Sequence, residues 1–233
     1  WSYYSAGVTA NATTWTTPSV TTVAANPIAA TSATLGGNVT ADGGTSVTNR
    51  GVVYKTTAGV TIANNKTQIG TGTGSFGQSI GSLAVNQIYY FRAYAQNSVG
   101  TSLGTELNFT TLANVPSAPT VNNPTATTLD VAVNANGNPA GTTFAIRLGT
   151  QYVQANGSLG GSAVWQTAAT WGTVTVTGLA SGTSHAFDVA ARNGASVATA
   201  YGSTASGLTI CAAPATPTAG SITTTGFTAN WSA

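Results

Sequence analysis

The chain has 233 residues, of which 42% are apolar and only 4% are charged, and its formal net charge is +2. The length leaves room for about two domains, and the apolar content is enough to give each of them a core. Six dispersed cations cannot form the continuous basic surface that binds phosphate backbones, so nucleic acid is excluded as a partner. The surface must consist of Thr, Ser, Asn, Gly and Ala, which favours a secreted protein.

In chain order, short runs of alternating apolar and polar residues are separated by Gly, Asn and Pro every 8 to 12 residues or so. No segment keeps a 3.6-residue period, so the pattern predicts an all-β protein. The clearest strands are residues 88–95, which are rich in Tyr and Phe, and residues 172–179, in which Val174, Val176 and Leu179 alternate with polar residues. Turn-forming residues predict loops at residues 41–44, 70–74, 136–141, 157–161 and 181–183.

Ionisable residues are too few for most catalytic chemistry. The carboxylates are Asp42, Glu106, Asp130 and Asp188, and His185 is the sole histidine. Acid/base pairs and metal cages need several such groups close together, so we predict no catalytic residue, no metal and no cofactor. His185 and Asp188 are separated by an odd number of positions on one strand and should point to opposite faces, which prevents a catalytic relay.

Neither a membrane span nor a targeting segment is expected within the sequence. No run of 18 apolar residues is present, and nothing at the first residues resembles a charged region followed by an apolar one. Cys211 is the only cysteine, so zinc and redox motifs are excluded. A lone thiol in an exported protein needs a partner, and we predict a disulfide between Cys211 and a cysteine outside these 233 residues.

One pattern occurs twice, about 96 residues apart. The first copy has Leu83, then Tyr89, Phe91, Ala93 and Ala95 before Asn97 and Gly100, and the second has Leu179, then His185, Phe187, Val189 and Ala191 before Asn193 and Gly194. The spacing corresponds to one sandwich domain, so we predict two such domains in tandem.

These residues resemble the fibronectin type III family, in which a Leu six residues before a Tyr lies at a corner and an alternating strand then leads into an Asn and Gly turn. Leu83 and Tyr89 match this corner, whereas His185, which follows Leu179, lacks the reach of a phenol. Trp231 matches the family's early core tryptophan. The resemblance implies tandem immunoglobulin-like β-sandwiches in which these five residues are structural.

Residues 32–112 are similar to repeats of large surface proteins of the Bacteroidota. The likeness is carried by residues 33–40, ATLGGNVT, and by residues 50–54, RGVVY. This likeness implies an extracellular, cell-surface location and export through secretion machinery of the type IX kind. It also implies that neighbouring modules of the same chain are partners.

Prolines that follow Thr-rich strands set domain boundaries near residues 112–116 and 210–214. The predicted division is residues 1–17 as terminal strands of a preceding module, residues 18–112 and 113–210 as fibronectin type III-like domains, and residues 211–233 as the first strands of a following, truncated module. A two-stranded piece is marginally stable alone. The chain is therefore a window cut from a longer array, which we favour, or a subunit whose terminal strands pair with other copies.

Aromatic residues are the candidates for ligand contact, because their flat apolar faces stack on sugar rings and peptide side chains. Strand alternation should turn Tyr90, Arg92 and Tyr94 outward. A second group consists of Tyr152, Trp165 and Trp171. One of its tryptophans should replace the core tryptophan that the first strands of the second domain lack, which leaves the other for contact.

The sequence therefore predicts a non-enzymatic extracellular repeat region of a bacterial cell-surface protein, acting as stalk or adhesin. Its partner beyond the chain would be a glycan or a protein on another surface. Two alternatives remain open: spacer modules of a secreted carbohydrate-active enzyme, and a subunit of a strand-exchanged extracellular filament.

Overall fold

The computed structural model describes residues 14–213, 218–223 and 225–230. Its regular structure is almost entirely antiparallel β, which confirms the all-β prediction. The chain divides into two compact units: the first comprises the described residues up to Ala113 together with Asn193–Val197, and the second comprises the rest. No helix in the described ranges is long and apolar enough to cross a membrane.

The first unit is built from two antiparallel sheets. Its strands are β1 (Ser19–Val23), β2 (Ala33–Ala41), β3 (Asn49–Lys55), β4 (Asn65–Gly70), β5 (Gly74–Ile80), β6 (Ile88–Gln96), β7 (Thr101–Leu103) and β8 (Leu107–Thr110). One sheet has the order β1-β2-β5, and the other has the order β4-β3-β6-β7. Strand β8 pairs with the start of β6, and β7 pairs with its end.

The core of the first unit lies between these two sheets. Leu35 of β2, Val52 of β3 and Phe91 of β6 are fully buried and belong to one cluster. Phe109 packs edge-on against Phe91 and stacks on Tyr89, with ring centroids 5.8 and 5.7 Å apart. Burial of each such side chain contributes about 1.5–3 kcal/mol, so the facing sheets form a β-sandwich-like unit.

The second unit has the same general architecture. Its elements are β9 (Ser117–Asn122), β10 (Leu129–Asn134), β11 (Thr143–Leu148), β12 (Gln151–Val153), β13 (Leu159–Gly160), β14 (Gln166–Thr167), α1 (Ala168–Trp171), β15 (Thr173–Val176), β16 (Ser184–Arg192), β17 (Ala205–Leu208), β18 (Thr218–Thr223) and β19 (Gly226–Asn230). One sheet has the order β15-β10-β9, and the other has the order β13-β12-β11-β16-β17, with β14 paired to β11. Strands β18 and β19 pair with each other.

A single helical turn brings a tryptophan into the core of the second unit. The Thr170 main-chain N–H donates to the side chain of Thr167, the N-cap of α1, over 3.1 Å. Trp171 at the end of this turn is 5% exposed, and its Nε1 donates to the Phe144 carbonyl over 2.8 Å. Of the two tryptophans, Trp171 is therefore the buried one, whereas Trp165 is half-buried.

The corner of the first unit is held by two side-chain hydroxyls. The Ala84 main-chain N–H donates to the Tyr89 hydroxyl over 2.9 Å, and the Thr111 hydroxyl donates to the Ala84 carbonyl over 2.7 Å. The same Thr111 oxygen accepts from the Gln87 main-chain N–H. Leu83, beside this corner, is 5% exposed. The main-chain groups of the turn before β6 are thus hydrogen-bonded by the side chains of Tyr89 and Thr111, which follow the turn in sequence.

The second unit repeats this arrangement with one change. The Thr209 hydroxyl donates to the Ala180 carbonyl over 2.6 Å and accepts from the Thr183 main-chain N–H over 3.1 Å. His185 Nε2 lies 3.1 Å from the same Ala180 carbonyl, whereas Tyr89 accepts from a main-chain N–H. The imidazole is shorter than the phenol, and its Nε2–H is a donor. His185 therefore bonds the main-chain oxygen of Ala180, whereas Tyr89 bonds the main-chain nitrogen of Ala84.

Several predicted features fall partly or wholly outside the described residues. Trp231 lies outside them, as do residues 1–13 of the predicted preceding module. Residues 14–17 are irregular, and their Thr16 main-chain N–H donates to the Gly43 carbonyl. Cys211 is exposed and has a free thiol.

Candidate binding surface

The outward face of β6 does not present the aromatic stripe that the alternation predicts. Tyr90 and Tyr94 do lie on the face opposite the core, but Tyr94 is 0% exposed. The expectation that Tyr94 faces solvent is wrong, because the segment between β3 and β4 folds over this face. Val60 of that segment packs with Val53 against the Tyr94 ring, and Tyr90 packs at the side of the same cluster. Burial raises the pKa of the Tyr94 hydroxyl.

The covering segment is fastened by Glu106. One carboxylate oxygen of Glu106 accepts from the Val60 main-chain N–H over 2.6 Å, and the other accepts from Gly59 over 3.1 Å. The Val60 bond is the main cause that lowers the pKa of Glu106. Arg92, between the two tyrosines, is also engaged, since its Nε donates to the Gly104 carbonyl over 2.6 Å. This face therefore stabilises the first unit and leaves little aromatic surface for a ligand.

The second predicted group, Tyr152, Trp165 and Trp171, does not form one site. Trp171 is buried, as described above. Trp165 is half-buried, and the Arg192 guanidinium lies 4.7 Å from the centre of its ring in a cation–π contact. Tyr152 lies on β12, opposite Arg147 of β11. Within the described residues, no ring-to-ring contact joins these three side chains.

Arg147 and Asp188 form an ion pair on the outward face of the larger sheet of the second unit. The two residues are direct partners in the register of β11 and β16. Arg147 Nε lies 3.0 Å from Asp188 Oδ1, and Nη2 lies 2.6 Å from Oδ2, so the guanidinium and the carboxylate meet as two planar forks. Their side chains are 33% and 13% exposed. The pair is therefore partly shielded from water and is held in one geometry by the sheet.

Two tyrosines complete what we call the Arg147 cluster: Arg147, Asp188, Tyr201 and Tyr152. The Arg147 guanidinium carbon lies 3.6 Å from the centre of the Tyr201 ring. Burial, together with a hydrogen bond to Tyr152, raises the pKa of Tyr201 to about 12. The hydrogen bond with Asp188 raises the pKa of Arg147 further, so the guanidinium is charged at every accessible pH. The cluster is a fixed arrangement of donors and acceptors across neighbouring strands.

A cavity of about 320 Å³ opens beside this cluster. It is lined by Arg147, Leu148, Gly149, Ser184, His185, Ala186, Asp188 and Thr204. His185 and Asp188 share the cavity but not a hydrogen bond, because His185 bonds the Ala180 carbonyl and Asp188 bonds Arg147. No group of three or more potential metal ligands occurs in the part of the chain that the structure describes.

Sequence reasoning included Tyr152 among the candidates and missed Arg147 and Tyr201. It considered Asp188 only as a partner of His185. The signal that could have found the pair is the scarcity of charge: in a chain with six cations and four carboxylates, opposite charges on two alternating segments of the same domain are candidates for a cross-strand pair.

Comparison with known proteins assigns no family: no protein-family model matches the chain, and no curated protein matches it.

Proposed function

We propose that the chain is a non-enzymatic extracellular repeat region of a bacterial cell-surface protein, built from tandem fibronectin type III-like domains and acting as stalk or adhesin. The observation that carries the proposal is the repeated corner. Thr111 and Thr209 make equivalent bonds in two β-sandwich-like units, and the carbonyls of Ala84 and Ala180 accept them. A duplicated structural network of this kind is what an array of modules requires, since each module must fold by its own bonds.

The ionisable side chains support a non-enzymatic function. Asp42 accepts from its own turn, Glu106 holds a main-chain segment, and Asp130 accepts from threonine and asparagine side chains. Asp188 pairs with Arg147. Each of these four carboxylates therefore holds part of the fold, which supports a structural or binding role rather than catalysis.

The surface supports an extracellular role. The Arg147–Asp188 pair is the one ion pair found among the described residues, so few contacts would weaken as the ionic strength changes. The exposed thiol of Cys211 is accessible to the disulfide partner that we propose beyond these residues. Origin in the Bacteroidota and export by type IX secretion belong to the same proposal, which rests there on the sequence resemblance.

Immunolabelling of intact source cells tests the proposal directly. An antibody raised against residues 18–210 should label the cell surface, and mild protease treatment of the cells should remove the label. Release into the medium on a polypeptide with a catalytic domain would instead favour the enzyme spacer. Detection as a ladder of polymers that resists detergent would favour the strand-exchanged filament. A signal confined to the cytoplasm would contradict all three.

A further inference from the structure

We propose that the cavity beside the Arg147 cluster binds a neutral saccharide. This inference rests on the proposed function, because it supplies the ligand class for an adhesin. It names a site whose central residues, Arg147 and Asp188, are not among the aromatic candidates of the sequence.

The ion pair keeps unused hydrogen-bonding capacity on both sides. A guanidinium has five N–H donors, and Arg147 uses two of them on Asp188. No other acceptor for Arg147 occurs among the described residues, so three donors are available. The Asp188 carboxylate accepts one bond at each oxygen and has lone pairs for about two more. Donors and acceptors therefore lie side by side at the cavity wall.

The charges of the pair favour a neutral ligand. An anion that approached Arg147 would be repelled by Asp188, whose Oδ2 is 2.6 Å from the guanidinium. A cation that approached Asp188 would be repelled by Arg147. Vicinal hydroxyl groups suit both, because each hydroxyl can accept from Arg147 and donate to Asp188. The chain carries a net charge of only +2, so no strong field attracts a charged ligand.

The remaining walls fit a small polyhydroxylated molecule. Ser184 and Thr204 add hydroxyls, and Ser184 lies on the same face of β16 as Asp188 because the two are four residues apart. The apolar residues that line the cavity are Leu148 and Ala186, and Ala186 lies on the same face of β16 as Asp188. A peptide would need deeper apolar pockets for its side chains. A volume of about 320 Å³ is at the small end of ligand sites, which indicates one or two sugar rings.

The site is also held ready for binding. The Arg147 guanidinium is fixed on one edge by two hydrogen bonds and on its face by the Tyr201 ring. Its free edge is therefore positioned before a ligand arrives, and little side-chain entropy is lost on binding. For such a shallow site we expect a dissociation constant of about 0.1–1 mM.

Nuclear magnetic resonance titration of the intact chain tests the inference. The probes are maltose, cellobiose, lactose and mannobiose, with digalacturonate and trialanine as comparison ligands. We expect at least one neutral disaccharide to shift the resonances of Ser184 and Thr204 with a dissociation constant below about 1 mM. Three results would overturn the inference. They are binding of digalacturonate or trialanine alone, shifts confined to another surface, and no binding of any disaccharide at a ligand concentration of about 10 mM, ten times the expected upper dissociation constant.

Two variants assign the binding to the cavity. Arg147→Lys keeps the charge and removes the planar fork, and Ala186→Tyr fills the cavity from an exposed strand position without altering the ion pair. Each should weaken binding at least tenfold. Arg192→Lys, which changes a stacked guanidinium elsewhere in the same unit, is the matched control and should stay within twofold. If Arg147→Lys does not fold, the assignment to the cavity is tested by Ala186→Tyr alone, and unchanged binding in that variant refutes it.

This test and the cell-labelling test fail separately. Surface labelling without saccharide binding would leave a passive stalk and refute only this inference. Saccharide binding by a chain confined to the cytoplasm would refute the proposed function and leave the binding site intact.

Discussion

Replacing Thr111 by valine removes one hydroxyl from a fully buried side chain while keeping its shape. The Ala84 carbonyl and the Gln87 main-chain N–H then lose their bonds of 2.7 and 2.9 Å. An unsatisfied group costs about 1–3 kcal/mol, and partial access of water to this turn reduces the sum, so we expect Thr111→Val to cost about 2–3 kcal/mol. That is a large fraction of the roughly 5–15 kcal/mol that stabilises a domain, and it corresponds to a fall in Tm of about 10–20 °C.

Urea unfolding combined with amide hydrogen exchange measures this effect in each unit separately. Thr111→Val should accelerate exchange in β6 and leave β16 unchanged, and Thr209→Val should do the reverse. Thr101→Val is the control, because Thr101 is exposed on β7 and forms no side-chain hydrogen bond to the described residues. A change in stability below about 0.5 kcal/mol for Thr111→Val, or one equal to that of Thr101→Val, would refute the reasoning.

Three further results are expected. Trp171→Phe should destabilise the second unit by about 2–4 kcal/mol in urea unfolding, because the buried hydrogen bond of the indole N–H is lost and a cavity is left in the core. Trp165→Phe should cost less than about 1 kcal/mol. Asn97→Asp should lower Tm, because the two amide donations to main-chain carbonyls at 2.7 and 2.8 Å disappear while the acceptor remains. The lowered pKa of Glu106 means that its stabilisation is present above its unfolded pKa of about 4.5 and is lost as the pH falls through the folded value, so Glu106→Gln should flatten the dependence of Tm on pH in acid.

The buried faces of the strands could be predicted because alternation alone decides them. In β15 the side chains of Val174 and Val176 are buried between exposed threonines, and in β6 Tyr89 and Phe91 face the core. These assignments need only a period of two and an apolar interior. The helical turn at Trp171 could not be read in this way, because four residues are too few to show a helical period.

The candidate site depended on contacts that no local pattern contains. Tyr94 is buried because a segment from another part of the chain brings Val60 onto its face. The Arg147 and Asp188 side chains meet only because β11 and β16 are neighbours in one particular register, and Tyr201 reaches them from outside both strands. A change of register by one residue would move the pair to opposite faces, so the sheet topology was needed to find it.

Stretching single molecules by their ends tests most directly whether the chain is a repeat region that resists force module by module. The two units should unfold in separate events, and each should release about 30 nm of chain, which is the extended length of roughly 96 residues less the folded span. One event that releases about 60 nm, or extension without any resistance, would contradict a stalk of independently folded modules.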